Sequence, residues 1–105
     1  MNVLVCGARG FVGAAVSDHL RRRGHHVLEG VSPRRAAGAP HAVAMDFVAD
    51  RAPADWLPRL RGVDAVVNAV GVLRDHPRRP MSAVHAEAPA ALFEACARAG
   101  VRRVV

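Results

Sequence analysis

Apolar residues gather in five short runs separated by polar, glycine-rich or proline-rich stretches, and the spacing within each stretch predicts its element. Asn2–Cys6 is nearly continuous in apolar residues, the pattern of a central parallel strand covered on both faces. Over residues 11–23, Val12, Ala15, Val16 and Leu20 recur at helical spacing, with Arg21, Arg22 and Arg23 in the last turn, where cations suit the helix dipole. Gly24 then stops that helix. His26–Val31 reads as a second strand, Ser32-Pro33-Arg34-Arg35 with Gly38 and Pro40 as a loop, and residues 42–45 as a short third strand ending at Asp46. A brief helix is expected over residues 54–60, with Pro53 near its start, Gly62 after its end, and Trp56, Leu57 and Leu60 on its buried side, although Pro58 interrupts it. Residues 64–69 form the fourth strand and 71–80 a polar connection. Helix resumes over 82–99, where Val84, Ala88, Leu92, Ala95 and Ala99 share a face. Pro89 either kinks this helix or marks where its regular part begins. Gly100 closes it, and residues 101–105 open a fifth strand.

Strands alternating with helical patterns imply right-handed crossovers and a parallel sheet. The expected architecture is α/β, a Rossmann-like three-layer parallel sheet of strand order 3-2-1-4-5, forming one domain over residues 1–105. The last strand ends on Val104-Val105 with no turn or polar tail after it, so truncation after strand five is expected, as is self-association through that exposed strand.

Composition narrows the function. At 51% hydrophobic residues the chain can bury a modest core. Its net charge of +6 comes from 15 arginines and no lysine, a pattern that coding bias explains as readily as an acidic partner does. The arginines are dispersed, and three Phe and one Trp leave few rings to stack on bases, which disfavours a nucleic-acid partner. Cys6 and Cys96 lie far apart in sequence without metal-ligand spacing, so neither a disulfide framework nor a metal site is expected, and reduced thiols fit a cytoplasmic protein. No stretch approaches the length of a membrane span.

The sharpest signal follows the first strand, where Gly7, Gly10 and Gly13 stand three apart. A dinucleotide-binding turn needs a glycine to reverse the chain, a second where the main chain approaches the pyrophosphate, and a third to let the helix lie close. The helix beginning near Phe11 then offers free amide groups to the phosphates.

On these residues the chain resembles the N-terminal part of extended and atypical short-chain dehydrogenase/reductases, the NAD(P)-dependent epimerase/dehydratase-like group. Within it, the chain is similar to members like the NADH-ubiquinone oxidoreductase 39 kDa subunit and NmrA-type proteins. Three segments carry the likeness: Gly7-Ala8-Arg9-Gly10-Phe11-Val12-Gly13, residues 64–74 with their Asn-Ala-Val-Gly, and residues 91–105. The resemblance implies that Gly7, Gly10 and Gly13, with the backbone of Phe11 and Val12, hold the pyrophosphate of a nicotinamide dinucleotide. It implies that Asp46 accepts from the adenine amino group with Phe47 flanking the ring, and that Asn68, Ala69, Val70 and Gly71 line the nicotinamide ribose. Asp46 could instead cap the loop that follows, and Asn68 could satisfy backbone at a strand end.

An acid at the end of the second strand would favour NAD by accepting from the ribose 2′-OH. Ser32 stands there, with Arg34, Arg35 and Arg9 nearby, a set suited to the 2′-phosphate of NADP, the favoured cofactor over NAD. Arg34 and Arg35 could also be solvated loop residues, and Glu29 lies too early in the strand to reach the ribose. The family's Tyr-x-x-x-Lys pair has no counterpart, because the chain contains neither Tyr nor Lys. Ser17, Ser32 and Ser82 lie elsewhere than the family's catalytic Ser or Thr, His85 reads as structural, and no catalytic residue is assigned. The resemblance therefore implies the cofactor-binding part of an oxidoreductase or epimerase, with a noncatalytic sensor or assembly module as the alternative.

Overall fold

The computed structural model describes residues 1–70 and 86–105. Along the chain run β1 (Asn2–Cys6), α1 (Phe11–Arg22), β2 (His26–Val31), α2 (Pro33–Ala36), β3 (Ala42–Ala44), α3 (Pro53–Trp56), a 3-10 turn (Leu57–Leu60), β4 (Ala65–Asn68), α4 (Ala88–Ala99) and β5 (Arg103–Val104). The strands form one sheet in the order β3-β2-β1-β4-β5. Every pairing is parallel, with Cys6 opposite Gly30 on one side and Asn68 on the other. The expected α/β Rossmann-like arrangement is the one found.

Alternation along the central strands divides the interior in two. Leu4, Cys6 and Val66 face the layer made by α3, the 3-10 turn and α4, where they pack with Trp56, Leu60, Leu92 and Cys96. Val3, Val5, Val27 and Ala65 face the other way and meet Leu20. Trp56 is fully buried. Its ring packs edge-on against Phe47 at 5.5 Å, its Nε1 donates to the Asp50 carbonyl at 2.9 Å, and the Arg59 guanidinium lies 5.0 Å above it.

Several expectations need correction. The stretch after Ser32 is no plain loop but the one-turn helix α2, because Ser32 occupies the N-cap position and Pro33 the first helical place, where its missing N–H costs nothing. The helix expected over 54–60 is divided, with α3 giving way at Leu57 to a 3-10 turn containing Pro58; Leu57 is only half-buried there. The inner face of α1 is formed by Gly13, Val16, Ser17 and Leu20, whereas Val12 and Ala15 are exposed. Apolar spacing alone fits both choices, and the close approach of the glycine decides which stripe turns inward. In α4, Pro89 sits in the first turn and begins the regular helix, and Ala99 is exposed at the opposite end. The part of that expected helix containing Ser82, Val84 and His85 lies outside the described residues. β5 is shorter than expected, although Val105 extends its ladder by donating to the Val66 carbonyl and accepting from the Asn68 amide, each at 2.9 Å.

Candidate functional site: a cleft at the carboxyl ends of the strands

The turn that leaves β1 is held by backbone. The Gly7 and Ala8 amides donate to the Gly30 carbonyl at 2.9 and 3.3 Å, and the Gly10 amide donates back to the Gly7 carbonyl at 3.0 Å. The three glycines of the turn differ in what a side chain would meet. Gly7 has φ +77°, a conformation that side chains resist, and a Cβ there would stand 3.0 to 3.1 Å from Val70 and the Ala69 backbone. At Gly13 a Cβ would lie 1.9 Å from the Gly7 carbonyl oxygen, so the helix can rest on the turn only because that atom is missing. Gly10, at φ −74° and ψ 174°, is ordinary extended backbone, and among the described residues a Cβ there meets only the Gly7 oxygen, at 3.4 Å. Its bareness answers to no packing among the described residues.

α1 starts at Phe11 with no side-chain cap, and its first turn-closing bond runs from the Ala14 amide to the Gly10 carbonyl at 2.8 Å. The amides of Phe11, Val12 and Gly13 therefore precede the helical ladder, where helices offer donors to anions. The Phe11 side chain is 97% exposed, so any contact it makes with a bound phosphate comes through the main chain.

Over this turn lies a cleft of about 520 Å³, in the size range of small-molecule sites. It is lined by Gly7, Arg9 and Gly10 of the turn, by Ser32 and Arg35, and by Asp46, Phe47, Ala69 and Val70. Phe11, Val12, Gly13, Arg34 and Asn68 do not line it, and Gly71 lies outside the described residues. Four lining residues escaped the reading of the sequence: Gly30, Val31, Met45 and Val48. Of these only Gly30 carried a signal, being a glycine inside an apolar strand; a Cβ there would press on Met45 Sδ at 3.0 Å and on Cys6 and Val5 backbone at 3.1 Å.

The polar side chains are already partly engaged. Asp46 Oδ1 accepts from the Val48 amide at 2.8 Å, the loop-capping role left open for it, while no described residue engages Oδ2. Asn68 Oδ1 accepts from the Val70 amide at 3.1 Å, so it does satisfy backbone at the strand end. Arg9 Nε donates to Glu29 Oε1 at 3.1 Å and Arg9 Nη1 to the Arg35 carbonyl at 3.3 Å. Glu29 also accepts from Arg21 at 2.6 Å. That bond from Arg21, joined by the one from Arg9, holds the Glu29 carboxyl below its ordinary value against the opposing effect of burial.

A comparison with curated proteins returns no match. The sequence profile described as the NAD dependent epimerase/dehydratase family matches residues 3–105. The chain belongs to that family. Among solved structures, a short-chain dehydrogenase/reductase superfamily protein from Agrobacterium tumefaciens with bound NAD is 30% identical, with a TM-score of 0.77 over 99% of this chain and 31% of that one. UDP-N-acetylglucosamine 4-epimerase from Bacillus cereus is 21% identical, with a TM-score of 0.76 over 99% of this chain and 34% of its own. UDP-glucose 4-epimerase from Thermus thermophilus, a complex with NAD, is 20% identical, with a TM-score of 0.74 over 99% and 36%. The last two share the fold. The chain thus spans about a third of the length of these proteins. Among the described residues no helix is long and apolar enough to cross a membrane, and no three His, Cys, Asp or Glu side chains could hold a metal.

Cys6, directly behind the turn, is fully buried, and burial, reinforced by Cys96, pushes its thiol up to about 12 despite the lowering influence of Arg59. Such a thiol is packing, with no nucleophilic thiolate near neutrality. The folded chain then holds a proton that the unfolded chain releases from pH 9 upward, so stability is complete below that range and declines as pH rises toward 12. Urea unfolding should show a loss of about 2 kcal/mol one and a half pH units above the ordinary thiol value, and Cys6→Ala should flatten that slope.

Proposed function

We propose that this chain binds a nicotinamide dinucleotide in the cleft over Gly7, Gly10 and Gly13 and forms the cofactor-binding part of an oxidoreductase or epimerase. The observation that carries this reading is Gly10: a main chain left bare where no packing among the described residues needs it, in the lining of a cleft and ahead of uncapped helix amides. Those donors fit a pyrophosphate. Asp46 Oδ2 would accept from the adenine amino group, Phe47 would border the ring, and Asn68, Ala69, Val70 and Gly71 would lie along the nicotinamide ribose. The bound cofactor would supply hydride transfer. The residues of this chain bind and orient it, and with neither Tyr nor Lys present, we assign them no proton transfer. The same lack supports a second reading, a noncatalytic module in which occupancy of the cleft serves sensing or assembly; binding without turnover in a protein of full family length would favour it.

NADP is favoured over NAD because Ser32, Arg35 and Arg9 all line the cleft, with Arg9 Nη1 donating to the Arg35 carbonyl, and no carboxylate stands at position 32 to repel a 2′-phosphate. Of the two arginines after Ser32, only Arg35 lines the cleft. Arg35→Ala should weaken NADPH about tenfold, as expected for a charge-assisted hydrogen bond, and change NADH less than about twofold. Arg34→Ala should leave both unchanged. Calorimetric titration with the two reduced cofactors measures this, and an equal loss for both would reject the 2′-phosphate assignment.

A further inference from the structure

We propose that Glu29 is a positioning residue for cofactor selection: clamped between Arg9 and Arg21, its carboxylate holds the Arg9 guanidinium beside Arg35 in the cleft lining, ready for a ribose 2′-phosphate. The inference rests on the dinucleotide reading above and concerns a residue with no direct place in the cleft. Glu29 sits in β2 with its amide donating to the His41 carbonyl at 2.8 Å, so a paired strand fixes its position. Its two oxygens are divided between Arg9 Nε, from the glycine turn, and Arg21 Nη2, from the end of α1. Arg9 is tied a second time, through Nη1 to the Arg35 carbonyl. Two of its five N–H groups are thereby used, and no described residue engages the remaining three in the cleft lining.

The sign of the effect follows from charge and entropy. A lone carboxylate beside Arg9 would neutralise it and compete with a phosphate. Here Arg21 shares that carboxylate, so the three side chains together remain cationic. An unheld arginine loses rotamer freedom when a ligand fixes it, whereas Arg9 is held beforehand by its bonds to Glu29 and the Arg35 carbonyl. Ordering the cation in advance strengthens binding of a group that carries the extra phosphate and leaves a cofactor lacking it unaffected.

Calorimetry on the full chain tests this with NADPH and NADH as probes and circular dichroism melting as the check on folding. Glu29→Gln should weaken NADPH about fivefold while NADH changes less than about twofold, and Glu29→Asp, which keeps the charge, should fall between it and the wild type. In an Arg9→Ala background, Glu29→Gln should cost NADPH nothing further, because the carboxylate acts through that guanidinium. Equal weakening of both cofactors, unchanged or tighter NADPH binding, or a full additional loss in the Arg9→Ala background would each overturn the proposal. Failure of the wild-type chain to take up either dinucleotide would overturn the binding assignment itself, and the role of Glu29 with it.

Discussion

Gly13→Ala is expected to destabilise the chain by about 3 kcal/mol or more, the upper part of the range for overpacked sites, and to lower the midpoint of thermal unfolding by more than about 12 °C. The added methyl would stand 1.9 Å from the Gly7 oxygen and 2.7 Å from its carbonyl carbon, contacts with backbone that no rotamer change relieves. Backbone must therefore move. Either α1 lifts from the sheet, uncovering Val5, Ala8 and Leu20, or the turn gives up the bonds from Gly7 and Ala8 to Gly30. Melting followed by circular dichroism gives the magnitude. A shift of only a few degrees would mean that this helix does not rest on the turn as described.

Gly10→Asp should do the opposite, leaving melting within a few degrees of wild type while weakening both nicotinamide dinucleotides by at least about a hundredfold, or about 2.7 kcal/mol. The backbone at this position is extended and open to any residue, and among the described residues the new Cβ would find only one atom, at 3.4 Å. Its carboxylate would place a negative charge where the pyrophosphate is proposed to lie and could itself cap the amides of α1, an interaction that favours the unliganded protein. Calorimetric titration reads the loss. Retained affinity in a well-folded variant would remove the pyrophosphate from this turn. Such a contrast between positions 10 and 13, three residues apart, would separate a glycine that the proposed ligand requires from one that the fold requires.

Much of this was legible in the order of residues. Apolar runs too short and too continuous for helices, with helical stripes after the first, third and fourth, imply parallel crossovers, and the sheet order followed from them. What periodicity could not decide was rotation: Val12 and Gly13 are adjacent, and the inward stripe of α1 depends on how near the helix can come to Gly7, a distance absent from any local pattern. The split at Leu57 and the one-turn helix at Pro33 were hidden for a related reason, since proline is compatible with a loop, a first turn or a 3-10 segment, and neighbouring packing selects among them. In the cleft, glycines and charged loop residues announced themselves by type. Glu29 did not, because its importance lies in reaching arginines 20 and 8 residues away that the fold brings to it.

Trp56 is the sole tryptophan, and tyrosine is absent, so ultraviolet emission from this protein comes from one indole sealed in the core. That indole touches Phe47, which borders the cleft, and the entire molecule measures only 39 × 29 × 25 Å. A reduced nicotinamide ring held anywhere on it would lie close enough to drain the indole's excited state. The protein would thus carry its own optical gauge of the proposed occupancy, with no added label and no other indole or phenol emission to subtract.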